Sequence, residues 1–106
     1  MPLAWFDFKE VDALGKSLAR ELAERVPPST LTERSAWRPK DQAKLTSALR
    51  DVFLKVDDFH RARKLGVLKR ARFSKSFQDE LAVQGYAEDF VKEATFGVAE
   101  RLTQIL

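Results

Sequence analysis

The 106-residue chain has no cysteine, one histidine, one tyrosine and one methionine, with only 4 glycines and 4 prolines. Without cysteine there are no disulfides, thiol nucleophiles, thiolate zinc sites or iron–sulfur clusters. A single histidine, His60, leaves any metal site short of nitrogen ligands. Gly15, Gly66, Gly85 and Gly97 are too scattered to form a loop that cradles a phosphate or a dinucleotide. No apolar run approaches the roughly 18 to 20 residues of a membrane span. The opening Met1-Pro2-Leu3-Ala4-Trp5-Phe6-Asp7 lacks the basic region of a secretion signal, so the cytoplasm is the expected compartment.

What is present is a globular composition, 44% hydrophobic and 33% charged, long enough for one domain over residues 1–106. Apolar residues recur at helical spacing, and strand-like alternation is missing. The spacing predicts helices over about 7–26, 40–65, 75–84 and 87–105, the third one short. Their stripes are Phe8, Val11, Leu14, Leu18, Leu22 and Val26; Leu45, Leu49, Val52, Val56 and Phe59; Phe73, Phe77 and Leu81; and Val91, Ala94, Val98, Leu102 and Ile105. Gly15 interrupts the first stripe where a partner helix can come close. Pro27-Pro28 ends that helix, and Thr30-x-x-Glu33 suggests a capped single turn in the loop that follows. Pro39 opens the second helix, Gly66 stops it, Ser74 or Ser76 opens the third and Gly85 closes it. No helix can hide its stripe alone, so the expected fold is an all-α four-helix bundle.

Two residues break the pattern. Advancing about 100° per residue puts Leu54 opposite the second stripe and Phe96 opposite the fourth. A monomer would expose both, and Trp5 and Phe6 add large apolar area near the N-terminus. The expected function is therefore a non-enzymatic protein-interaction module that self-associates as a homodimer, or binds another protein, through a surface that includes these four residues.

Charge breaks the pattern too. Arg61, Arg63, Lys64, Lys69, Arg70, Arg72 and Lys75 fall between Phe59 and Gln78 with no acid among them, against 12 basic and 16 acidic residues elsewhere. Such a corner attracts phosphates, and nucleic-acid backbone binding is the alternative reading. Ala62-Arg63-Lys64-Leu65-Gly66-Val67 resembles the first helix and turn of a helix-turn-helix motif. The likeness covers about twenty residues and departs downstream, where Arg72 and Lys75 stand at positions the motif would bury.

Catalytic chemistry finds little support. Asp57 and His60 share a helix face at a spacing used by metal ligands, but the other stripes lack inward carboxylates, so neither metal nor cofactor is expected. Asp57-Asp58 and Asp79-Glu80 are neighbours in sequence and splay apart on a helix. Tyr86 is a core plug or a binding-site aromatic, Trp37 an anchor for the long loop, and Arg38 beside it a partner-site candidate.

Overall fold

The computed structural model describes residues 8–31 and 38–104. Trp5, Phe6, Glu33, Trp37 and Ile105 lie outside the described residues. Four helices pack together: α1 (Lys9–Arg25), α2 (Pro39–Arg63), α3 (Val67–Gln84) and α4 (Glu88–Gln104). A single 3₁₀ turn, Pro28–Leu31, follows α1. Thr30 falls inside that turn and not at its start, and Leu31 anchors it in the core.

The expected stripes form the core. Val11, Leu18, Leu22, Val26, Val52, Val56, Phe73, Phe77, Leu81, Val91, Ala94, Val98 and Leu102 are all buried, with Phe8, Leu14, Leu45, Leu49 and Phe59 packed at its margin. Pro39 begins α2, where its missing N–H costs no hydrogen bond, and Asp41 accepts the Arg38 N–H at 3.0 Å. Arg38 therefore serves as the N-cap residue of α2.

The third helix is not short. It starts at Val67, eight residues before the expected 75, because Gly66 is its N-cap and not the stop of α2. The residue that ends α2 is Lys64, held in the left-handed region at φ 50° with its N–H on the His60 carbonyl at 2.7 Å. Ser76 is no N-cap either; it is buried in mid-helix and donates to Asp12 at 2.5 Å. At the other end Gly85, at φ 101°, and Tyr86 return their N–H groups to Ala82 and Leu81, the glycine stop that the sequence predicts.

Helix directions follow from the contacts. Asp12 meets Arg72 and Ser76, Arg20 meets Glu80, and the Val26 carbonyl meets Tyr86, so α1 and α3 run in the same direction. Gly15 is the reason they come so close: a methyl group there would sit 3.0 Å from the Phe73 carbonyl oxygen and 3.2 Å from the Phe77 nitrogen. Phe53 packs on Gly97 and Asp57 on Arg101, so α2 and α4 also share a direction. Glu10–Arg63, Glu21–Lys55 and Asp51–Arg25 set α2 antiparallel to α1. The result is two layers of parallel helices, α1 with α3 and α2 with α4, closed on one core.

Candidate interaction face

The outer side of the α2–α4 layer carries the two residues that break the pattern. Phe53 and Gly97 point at each other across the layer. One residue earlier on α2, Val52 faces the core, and one residue later on α4, Val98 does the same. Because the helices are parallel and turn about 100° per residue, Leu54 and Phe96 both swing to the side away from the core. Leu54 is 48% exposed and Phe96 68% exposed. They flank a shallow groove of about 420 Å³ lined by Thr46, Leu49, Arg50, Phe53, Gly97, Glu100 and Arg101. The two project on the same outer side, each next in sequence to one of the groove's floor residues, Phe53 and Gly97.

The floor is held firmly. Arg101 reaches across the layer to Asp57 at 3.3 Å and lies over the Phe53 ring at 5.8 Å. Asp57 is buried, and its second carboxylate oxygen has no partner among the described residues. His60, one turn on, is buried too and accepts the Leu65 N–H on Nδ1 at 3.2 Å, which ties down the turn after α2. Among the described residues no three His, Cys, Asp or Glu side chains converge as a metal site would require.

The basic segment is largely turned onto the protein itself. Arg63 forks onto Glu10 at 2.9 and 3.2 Å, and this pairing raises the guanidinium pKa. Arg72 forks onto Asp12 at 2.8 and 3.0 Å and lies over Phe8 at 5.5 Å. The Arg72 hydrogen bonds hold the Asp12 carboxyl below its ordinary range. Arg70 donates to the Leu102 carbonyl near the end of α4, and Lys75 pairs with Asp79 one turn along α3. Arg61, Lys64 and Lys69 are left without an ion pair among the described residues. A short turn over residues 64–66 joins α2 to α3. In the first turns of α3, Arg70 binds a carbonyl of α4 and the exposed Arg72 binds Asp12 of α1, while Val67 and Leu68 stand exposed.

Three exposed apolar residues were missed from sequence: Val67, Leu68 and Val83. Val67 lines a second groove of about 250 Å³ with Arg70, Ala71, Ser74, Ala99, Leu102 and Thr103. The signal for Val67 and Leu68 is their offset from the Phe73–Phe77 stripe, which a predicted third helix beginning at 75 leaves out of account. Tyr86 is a core plug: it is buried, donates its hydroxyl to the Val26 carbonyl at 2.5 Å, and burial pushes its pKa up to about 12. No helix among the described residues is long and apolar enough to cross a membrane.

No protein family, curated protein or solved structure matches this chain.

Proposed function

We propose that this protein is a non-enzymatic interaction module that associates with a second copy of itself through the outer face of the α2–α4 layer. The observation that carries this reading is the pairing of Leu54 and Phe96 on one side of two parallel helices, beside a groove floored by Phe53 and Gly97. Large side chains in such a position gain from being covered, at roughly 25 cal/mol per Å² of apolar area. Sedimentation velocity over a range of concentrations tests it. The wild-type chain gives a monomer–dimer equilibrium, and Phe96→Glu or Leu54→Glu shifts it to monomer without loss of helical circular dichroism. A wild-type chain that stays monomeric at high concentration refutes it.

The phosphate-binding alternative draws on Arg61, Lys64 and Lys69, since the other four cations of the segment already have protein partners. Three cations limit the salt dependence to a log–log slope of about −3. A steeper slope in a DNA or RNA titration would mean that the internal pairs open on binding.

A further inference from the structure

We infer that the two copies meet through a two-fold axis that crosses the helices, so that α2 lies antiparallel on its own counterpart and α4 on its own. The inference rests on the self-association proposed above and adds its register. Leu54 and Phe96 are each bracketed on their helix by a cation four residues before and an anion four residues after. On α2 the order is Arg50, Leu54, Asp58; on α4 it is Lys92, Phe96, Glu100. All six are exposed. Residues four apart lie on one helix face, so both triplets run along the face that carries Leu54 and Phe96.

Reversing a helix end for end about its central residue turns a plus–apolar–minus order into minus–apolar–plus. An antiparallel copy therefore sets Arg50 against Asp58 of its partner and Lys92 against Glu100 of its partner, each twice by symmetry, around the stacked Leu54 and Phe96 pairs. The competing two-fold, parallel to the helices, lays α2 on the partner's α4. With Leu54 opposite Phe96, that arrangement brings Arg50 onto Lys92 and Asp58 onto Glu100, like charge on like at every position. Juxtaposed like charges are strongly disfavoured at interfaces, so the pattern selects the antiparallel arrangement as well as attracting the copy. Within the chain these groups are largely unengaged. Arg50, Asp58 and Glu100 make no ion pair among the described residues, and Lys92 has only the exposed contact with Glu88. Between α1 and α2, by contrast, charges are joined across helices, as in Arg63–Glu10, Lys55–Glu21 and Arg25–Asp51.

The test is a charge-exchange series on the full chain, with the dimer constant measured by sedimentation equilibrium at low salt. Lys92→Glu replaces two attractive contacts with two repulsive ones and weakens the dimer by roughly tenfold or more. Glu100→Lys does the same. The double variant Lys92→Glu/Glu100→Lys restores the wild-type constant, and mixing the two single variants gives a heterodimer tighter than either homodimer. Circular dichroism confirms that each variant is folded. The parallel arrangement predicts the opposite sign, because an acid at position 92 would then face Arg50, so a tighter Lys92→Glu dimer overturns the inference. A dimer that is lost in Phe96→Glu but indifferent to the charge exchange also overturns it and leaves the self-association reading standing. A wild-type chain that never dimerises removes both.

Discussion

Replacing Gly15 with alanine adds one methyl group at the closest approach of α1 and α3. In an open helix the change would stabilise by about 1 kcal/mol, because alanine has less backbone freedom to lose. Here the new carbon would lie 3.0 Å from the Phe73 carbonyl oxygen, 3.0 Å from the Ser76 Cβ and 3.2 Å from the Phe77 nitrogen. Two of those three atoms are main chain and cannot swing aside, so α3 as a whole has to retreat by a few tenths of an ångström. A gap of about 0.5 Å forfeits about a quarter of the dispersion well, and a smaller one a smaller share of each contact it opens. Phe73, Phe77 and Leu81 all sit fully buried on α3. Overpacking of this kind costs about 1 to 3 kcal/mol, which leaves Gly15→Ala less stable by about 1 kcal/mol after the helix gain. Gly97→Ala is the internal control. Its methyl group would meet only the far edge of the Phe53 ring, at 2.7 Å from Cζ, and a half-buried ring can tilt for about 1 kcal/mol. That change is near neutral although its helix gain is the same. Urea unfolding followed at 222 nm, at a protein concentration low enough to keep the chain monomeric, reads both variants. A Gly15→Ala chain as stable as Gly97→Ala would refute the claim that main-chain contact at Gly15 sets the spacing of the layer.

Three other changes test separate parts of the fold. Lys64→Gly relieves a side chain held at φ 50° and should raise stability by about 1 kcal/mol in the same urea assay, with an unchanged slope. Tyr86→Phe leaves the Val26 carbonyl without its hydroxyl donor and should lower stability by about 1 to 2 kcal/mol. In the folded wild type, tyrosinate absorbance at 295 nm should rise near pH 12, against about 10 in urea, since Tyr86 is the only tyrosine. A folded pKa above the unfolded one means that stability is intact below about pH 10 and is lost as pH rises toward 12. Asp12→Asn works with the opposite sign. The Arg72 hydrogen bonds depress the Asp12 pKa, so its stabilisation is present above the unfolded value of 3.8 and vanishes as pH falls through the folded one. The deficit of the variant relative to wild type should therefore be full at neutral pH and close in strong acid, as measured by thermal unfolding across pH.

The helices with a clean outward-polar, inward-apolar order could be read directly. Leu45 to Phe59 and Val91 to Leu102 needed only a 3.6-residue period, and Gly15 announced a close approach that the α1–α3 contact then used. The first two turns of α3 could not be read because their leading apolar residues fall outside the buried stripe. Val67 and Leu68 point outward, while Arg70 donates to a main-chain carbonyl of α4 and Arg72 folds onto Asp12. A periodicity argument assigns arginines to solvent, and nothing local to 67–74 says that two acceptors wait on other helices. Leu54 and Phe96 were each legible as outward residues. Their sharing of one face was not, because it depends on α2 and α4 running in the same direction, a fact of tertiary packing.

That packing also bears on why the proposed interaction face lies on one layer and not the other. Across α1, α2 and α3 four ion pairs join charges between helices: Glu10 with Arg63, Asp12 with Arg72, Glu21 with Lys55, Asp51 with Arg25. Each such pair contributes little to stability on its own. Their combined effect is to specify register, since sliding α2 by one turn along α1 would break all three of its pairs at once. A protein that uses surface charge this way to fix its own helices has no such use for Arg50, Asp58 and Glu100, which stand on the outer face beside the two exposed large apolar side chains of α2 and α4. Changes confined to that face should therefore cost folding almost nothing, while equivalent charge reversals at Glu10, Asp12 or Glu21 disturb the helix arrangement itself. The contrast separates the part of the molecule that holds its shape from the part available to a second copy.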